Sequence, residues 1–221
     1  MNNSTGKISV MIADDHGIVR QGIEKVLSKA SDIELVCQAE SGDEILNKLK
    51  EVTPDILVMD IEMPGKNAWD ILADLKHSYP GVKIILLSIF PEEKYGPRFI
   101  KGGASGYVSK SAAPSTLVDA IRKVSQGGKY VSPKLADILI SGIGTSAEKN
   151  NLHENLSDRE FQVFTLIASG KKLKEIADAL NVGITTVSTH RARILQKMNM
   201  KSTAELIHYA VRQGLVEGPP L

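Results

Sequence analysis

An apolar run of four residues, Ile56-Leu57-Val58-Met59, ends in Asp60, and the chain turns soon afterwards at Pro64-Gly65. A short run that is apolar throughout is typical of a strand buried on both faces, and a Pro-Gly pair forces a loop. The sequence therefore places the carboxylate of Asp60 at the carboxyl end of a buried strand. Open α/β sheets bind their ligands at that edge.

Polar side chains also follow three other apolar runs. They are Asp14-Asp15 after residues 8–13, Ser88 after residues 83–87, and Lys110 after residues 106–109. Because the carboxyl ends of parallel strands meet at one edge of a sheet, we expect three acids, a hydroxyl and an amine to converge there. Such a set is suited to handling a phosphoryl group.

Five apolar runs in all alternate with segments of helical periodicity, and they cover residues 8–13, 33–37, 56–59, 83–87 and 105–109. Parallel strands need crossover connections, so this alternation predicts a parallel sheet with helices on both faces. Five strand–helix units fit a flavodoxin-like doubly wound sheet, whereas a closed barrel needs eight. The fold class is therefore α/β, followed by a second and smaller helical part.

The alternation ends at Gly127-Gly128, and the rest of the chain shows helical patterns alone. We predict an α/β domain over residues 7–128, a linker over 129–153 with one short helix near 135–140, and a four-helix domain over 154–216. Ser157 and Glu160 form an S-x-x-E capping box that predicts where the first helix of the last domain begins.

The acids at the sheet edge would repel one another unless a cation neutralised them. Mg²⁺ prefers carboxylates, waters and phosphate oxygens, and a carboxylate beside it can attack phosphorus. Lys110 and Ser88 would then contact the oxygens of a transferred phosphoryl group. Each residue alone also has a structural explanation, since Asp14 or Asp15 could simply cap the helix beginning near Gly17. The complete set favours the phosphoryl site.

From Leu173 to Ala192 the helical domain shows a short helix, the turn Asn181-Val182-Gly183 and then a longer helix. This is a helix-turn-helix pattern, whose second helix enters the major groove of DNA. With Val187, Ile194 and Met198 facing inward, the outward residues are Thr185, Ser188, Thr189, Ala192, Arg193 and Gln196. Contacts to phosphate are expected from Lys174, Thr186, Lys197 and Lys201, and Arg191 would make a salt bridge or a phosphate contact. A four-helix module with a merely solvated basic face remains the alternative.

Charge supports a polyanion partner for this end of the chain alone. Residues 171–201 carry seven basic and two acidic side chains, a net charge of +5, whereas the whole chain has a net charge of +1.

No apolar stretch approaches the about 18 residues that span a membrane, and the polar first residues lack the apolar core of a signal peptide. We therefore expect a cytoplasmic protein with no membrane partner.

Residues 7–128 resemble the receiver domain of two-component response regulators. The matching motifs are Ala13-Asp14-Asp15-His16, Met59-Asp60-Ile61-Glu62-Met63-Pro64-Gly65, Leu87-Ser88 and Gly106-Tyr107-Val108-Ser109-Lys110. The resemblance implies that Asp60 accepts a phosphoryl group from a sensor histidine kinase. It further implies Mg²⁺ as cofactor, held by Asp15, Asp60 and the main-chain carbonyl of Glu62, with Asp14 assisting. Ser88, Tyr107 and Lys110 would respond to the phosphoryl group.

Residues 154–214 resemble the LuxR-type helix-turn-helix domain of the NarL/FixJ family. The matching motifs are Leu156-Ser157-Asp158-Arg159-Glu160, Leu166-Ile167-Ala168-Ser169-Gly170, Lys174-Glu175-Ile176-Ala177 and Thr186-Val187-Ser188-Thr189-His190. Ser188 stands where many members carry a lysine. The resemblance implies double-stranded DNA as partner and a homodimer on phosphorylation, with RNA polymerase as a further candidate partner.

The sequence thus predicts a phosphorylation-controlled DNA-binding transcriptional regulator. It would catalyse no reaction beyond its own phosphorylation and dephosphorylation. One alternative is a DNA-binding regulator that works independently of phosphorylation and keeps its receiver as a structural domain. Another is a phosphatase with an aspartate nucleophile, although such enzymes of the haloacid dehalogenase type use an Asp-x-Asp motif that the segment Asp14-Asp15-His16 does not supply.

Overall fold

The computed structural model describes residues 6–144, 152–180 and 182–216. The chain divides into two compact units, with the boundary between Gly144 and Thr145. The first unit is an α/β domain and the second contains helices. In the part of the chain that the structure describes, no helix is both long enough and apolar enough to cross a bilayer.

A five-stranded parallel sheet forms the centre of the first unit, with the strand order β2-β1-β3-β4-β5. The strands are β1 (Ile8–Ala13), β2 (Ile33–Ala39), β3 (Ile56–Asp60), β4 (Lys83–Ser88) and β5 (Gly106–Ser109). This is the predicted flavodoxin-like order. Strands β1 and β3 are neighbours and Ala13 pairs with Met59, so the residues that follow them emerge side by side.

Helices cover both faces of this sheet. They are α1 (Gly17–Leu27), α2 (Gly42–Lys48), α3 (Ala68–Ser78), α4 (Glu92–Gly102) and α5 (Pro114–Ser125). One layer of the core joins buried side chains of α1 and α5 to the central strands, including Leu27, Ile121, Val10 and Val58. On the other side, the ring of Trp69 on α3 stacks on Phe99 of α4, with 3.6 Å between ring centroids and 5° between ring planes.

Helix α6 (Pro133–Gly144) lies in the segment predicted as a linker, and it packs on α4. Leu135 of α6 is fully buried and lies directly over Gly96, where an added Cβ would come within 2.6 Å of a Leu135 methyl carbon. Ser132 donates a hydrogen bond to Glu92, and Lys134 pairs with Glu93. The predicted short helix is therefore longer and belongs to the first unit.

The limits predicted for the two domains and the linker stay predictions, and residues 145–151 of that linker lie outside the described residues.

The second unit consists of a 3₁₀ turn (Leu152–Asn155) and the helices α7 (Asp158–Ala168), α8 (Leu173–Ala179), α9 (Ile184–Lys197) and α10 (Thr203–Arg212). The capping box is present, because Ser157 accepts from the N–H of Glu160 and Glu160 accepts from the N–H of Ser157. The core of this unit is formed by Phe161, Phe164, Ile176, Val187, Ile194 and Leu206.

Candidate functional site

Four side chains converge at the carboxyl ends of β1 and β3. One ligand atom from each of Asp14, Asp15, His16 and Asp60 lies within 4.8 Å of the others. Asp14 is fully buried and Asp60 is 6% exposed, whereas the side chain of Asp15 is 36% exposed. The strand order therefore brings together the three predicted acids, and it leaves one side of the cluster open to solvent.

Lys110 reaches into this cluster from the end of β5. Its Nζ lies 2.6 Å from Oδ2 of Asp60 and 2.7 Å from Oδ2 of Asp14. Burial raises the pKa of Asp60 above its ordinary value, although the hydrogen bond from Lys110 opposes that shift. Burial by itself would lower the pKa of Lys110, but the hydrogen bonds to Asp14 and Asp60 outweigh it and raise the pKa. The amine is therefore a firmly protonated cation beside Asp60.

His16 joins the cluster, although we expected no role for it from the sequence. Its ring Nδ1 lies 2.8 Å from Oδ1 of Asp15 and 3.2 Å from Oδ1 of Asp14. The main-chain N–H of His16 also donates to Oδ1 of Asp14. His16, rather than Asp14 or Asp15, occupies the N-cap position of α1, and its side chain makes no capping hydrogen bond. The structural alternative, in which Asp14 or Asp15 caps α1, is therefore wrong. The signal in the sequence was the position of His16 directly after the two acids.

The donor set suits a hard divalent cation. Carboxylate oxygens of Asp15 and Asp60 are the ligands that Mg²⁺ prefers, and the cluster holds more acid than one lysine neutralises. The N–H of Glu62 donates to Oδ1 of Asp60 at 3.2 Å, so the main chain of Glu62 runs beside this carboxylate. An acidic cluster that could hold a metal is thus present at the predicted edge of the sheet.

The loop after Asp60 is fixed by close contacts with α2. Gly65 has a φ of +79°, and an added Cβ would meet a carboxylate oxygen of Asp43 at 2.2 Å. The N–H of Gly42 donates to the carbonyl of Pro64, and Asn67 caps α3 by accepting from Trp69 and Asp70. These contacts hold in place the segment that carries Asp60 and Glu62.

Ser88 and Tyr107 are linked through Phe90. The hydroxyl of Ser88, 1% exposed, accepts from the N–H of Phe90 at 3.0 Å, and Tyr107 donates its hydroxyl to the carbonyl of Phe90 at 3.0 Å. The ring of Phe90 stacks on Tyr95 of α4. Burial raises the pKa of Tyr107 far above its ordinary value, so the phenol stays neutral. Tyr107 already lies inside the domain in this conformation.

The second candidate surface is the outward face of α9. Val187, Ile194 and Met198 are buried, as expected from the periodicity. The six side chains predicted to face outward are exposed, namely Thr185, Ser188, Thr189, Ala192, Arg193 and Gln196. The sequence missed Ile184, an apolar residue in the first turn of this helix that is 50% exposed.

The predicted phosphate contacts differ in how their side chains are placed. Lys174, Thr186 and Lys201 are exposed. The amine of Lys197, by contrast, lies 2.6 Å from Oε2 of Glu160, the acid of the capping box. Arg191 is half-buried, and its Nε has no hydrogen-bond partner among the described residues, so the expected salt bridge is absent at that atom. The amine of Lys197 is therefore engaged within the domain, whereas the Nε of Arg191 is buried and has no partner among the described residues.

Comparisons with known proteins support both parts. The family model described as response regulator receiver domain matches residues 10–122, and the model described as bacterial regulatory proteins, luxR family, matches residues 154–210. The chain is 36% identical over 210 residues to the response regulator GacA of Pseudomonas viridiflava, which covers 95% of this chain and 98% of GacA. It is 35% identical over 216 residues to the oxygen regulatory protein NreC of Staphylococcus carnosus, covering 95% and 100%.

Solved structures of RcsB have the same architecture. RcsB of Salmonella enterica serovar Typhimurium, bound to promoter P1flhDC in the presence of the phosphomimetic BeF3⁻, superposes with a TM-score of 0.69 at 28% identity and covers 92% of this chain and 98% of RcsB. A structure of two RcsB dimers bound to two parallel DNAs matches with a TM-score of 0.58 at 26% identity, covering 93% and 98%.

Proposed function

This chain belongs to the response regulators that join a receiver domain to a LuxR-type DNA-binding domain, and on that basis we propose that phosphorylation of Asp60 by a sensor histidine kinase controls its binding to DNA. The observation that carries the proposal is the pairing of Lys110 with Asp60 inside a cluster of three acids. A receiver kept only for its shape would have no need of this buried, mutually compensating set of charges.

In the proposed reaction, a carboxylate oxygen of Asp60 attacks the phosphorus of a phosphohistidine on the kinase. The new P–O bond forms as the P–N bond breaks, and the histidine nitrogen leaves with the electron pair. A Mg²⁺ ion held by Asp15, Asp60 and the carbonyl of Glu62 would neutralise the charge that gathers on the phosphoryl oxygens. Asp14 is fully buried and pairs with Lys110, so it would hold the lysine amine in position beside Asp60.

Two groups are placed to respond to the product. Lys110 can exchange its contact with the Asp60 carboxylate for one with the phosphoryl group, because its amine lies 2.6 Å from that carboxylate. The hydroxyl of Ser88 accepts from the N–H of Phe90 and also lies within hydrogen-bonding reach of the Tyr107 hydroxyl. A shift of Ser88 towards the phosphoryl group would disturb Phe90, which also holds Tyr107 and Tyr95. We propose that phosphorylation of Asp60 changes the position of α4 through these contacts of Phe90.

The DNA-binding unit would place α9 in the major groove. One helix-turn-helix offers a small interface, so two copies on two half-sites are the expected route to useful affinity. RcsB, a relative in structure, has been solved as dimers on DNA, which supports the same arrangement here. Phosphorylation would favour the dimer, and RNA polymerase is the candidate partner for transcription control.

Labelling with acetyl phosphate and Mg²⁺ tests the first half of this proposal. Intact-mass analysis should show one added phosphoryl group in the wild-type chain and none in Asp60→Asn. A matched control is Asp74→Asn, which removes an exposed carboxylate paired with Lys66 and should leave labelling intact. If Asp60→Asn is labelled to the same extent as the wild-type chain, Asp60 is not the phosphorylated residue.

Calorimetric titration tests the metal. Asp15→Asn should weaken Mg²⁺ binding more than Asp14→Asn does, because Asp15 is the more exposed carboxylate and Asp14 is engaged by Lys110.

DNA affinity measured with and without phosphodonor separates the proposed phosphorylation control from the alternative of a regulator that works without it. Equal affinities in both states would favour the regulator that works independently of phosphorylation.

A further inference from the structure

The outward face of α9 is rich in methyl groups and poor in charge. Of its six outward residues, Arg193 is basic, whereas Thr185, Thr189 and Ala192 each present a methyl group. At 100° per residue, Thr189 and Ala192 are neighbours at i and i+3 near the middle of this face. Direct recognition of guanine usually relies on Arg or Lys, and this face offers one such side chain.

Thr189 has its hydroxyl turned back to its own helix. The hydroxyl donates to the main-chain carbonyl of Thr185 at 2.9 Å. Both the hydroxyl and the methyl group branch from Cβ, so engagement of the hydroxyl by the helix leaves the methyl group for an external contact. Although threonine is a polar residue, it therefore presents an apolar end to the groove.

An exposed apolar side chain extends the same surface. Ile184 in the first turn of α9 is 50% exposed, and Ser188 and Ala192 follow it at i+4 and i+8 along one row. The first turns of a recognition helix are the part that reaches the base edges. In the major groove, the apolar group of a base pair is the C5 methyl of thymine.

We infer that α9 recognises thymine methyl groups, with the methyl of Thr189 as the central contact and with Ala192 and Ile184 beside it. The specific site would thus be defined by thymines in the major groove at the positions that this face covers. This inference rests on the proposed DNA binding, and it names the chemical group on DNA that the same helix recognises.

Substitution of uracil for thymine tests the inference, because it removes the C5 methyl group and leaves base pairing unchanged. The probe is a duplex selected from random-sequence DNA by the full-length chain in the presence of phosphodonor. Uracil is placed at one core position at a time, and thymines in the flanks serve as the matched control. We expect uracil to weaken binding about three- to fourfold at one or two positions of the selected sequence, because burial of one methyl group contributes about that factor to affinity. In the flanking sequence uracil should have no effect.

Two variants assign the contact to Thr189. Thr189→Ser keeps the hydroxyl and loses the methyl group, so it should bind the thymine duplex as weakly as the uracil one. Thr189→Val keeps the methyl group and loses the hydroxyl, so it should retain the preference for thymine. Both changes are at an exposed position, and circular dichroism verifies that the variants are folded.

Three outcomes would overturn the inference while leaving DNA binding intact. The first is equal affinity for thymine and uracil at every core position. The second is a thymine preference that Thr189→Ser keeps. The third is a preference lost in Thr189→Val, which would make the hydroxyl the recognising group. If selection instead enriches no DNA at all, the proposed function itself fails.

Discussion

Lys110 and Asp60 are fifty residues apart in the chain, yet Nζ of the lysine lies 2.6 Å from Oδ2 of the aspartate. The lysine stands at the end of β5 and the aspartate at the end of β3, with β4 between them. The amine therefore already lies where a phosphoryl group on Asp60 would need a cation.

Replacement of Lys110 by methionine should separate two roles of this amine. Mg²⁺ affinity should rise by roughly tenfold, about 1.4 kcal/mol, since a cation that competes for Asp60 is removed. The proposed increase in DNA affinity on phosphorylation should be lost, because the phosphoryl group has no amine to engage. Calorimetry and DNA titration measure the two effects, and Lys110→Arg keeps the charge as a control. Unchanged Mg²⁺ affinity in Lys110→Met would contradict the first role.

Lys174 and Lys197 were both expected to contact phosphate, and the structure distinguishes them. Lys174→Ala should lower the salt dependence of DNA binding by about one unit of slope, because one released counterion is lost. Lys197→Ala should change that slope little, since its amine is paired with Glu160. Affinities at several salt concentrations decide this. Equal slopes for the two variants would show that the pair with Glu160 opens on DNA.

Glu160 should make the stability of the DNA-binding unit depend on pH. Burial alone would raise its pKa, but hydrogen bonds from Lys197 and Ser157 outweigh it and hold the pKa below the ordinary 4.5. Its contribution to stability is therefore fully present above that ordinary value, and it is lost as the pH falls through the lowered one.

Thermal unfolding of the full chain from about pH 6 to about pH 3 measures this effect. In Glu160→Gln, the unfolding transition of the helical unit should shift less with pH than in the wild type. A pH profile identical to that of the wild type would mean that Glu160 has no part in the acid sensitivity.

Gly96 should control whether α6 stays on α4. In Gly96→Val the new side chain overlaps Leu135, and overpacking of this kind costs about 1–3 kcal/mol. Hydrogen exchange of the α6 amides should accelerate, by roughly tenfold or more at ~1.4 kcal/mol. Gly22→Val is the matched control, because an added Cβ there meets no atom within 4 Å. Equal exchange in α6 for both variants would show that Leu135 repacks without loss.

The strands and the outward face of α9 could be predicted because they depend on local periodicity. The run at 8–13 coincides with β1, and the run at 56–59 extends by one residue to include Asp60. The convergence of the acids followed from topology, since the end of each parallel strand is fixed by its direction. These features need no knowledge of which distant side chains touch.

Other features depend on contacts between distant residues, and the sequence did not predict them. The pairing of Lys197 with Glu160 joins α9 to the start of α7 across 37 residues. Helix α6 was taken for part of a linker because the contact between Leu135 and Gly96 depends on the space left by a missing side chain. His16 was missed because its contact with Asp15 depends on a rotamer rather than on a pattern.

The stack of Trp69 on Phe99 gives this protein an optical reporter of its own. Trp69 is the single tryptophan of the chain, so all indole emission comes from one site between α3 and α4. Any event that slides α4 along α3 changes the overlap of the two rings and with it the quantum yield. Stopped-flow fluorescence on the unlabelled chain can therefore follow the receiver in real time while phosphodonor is added.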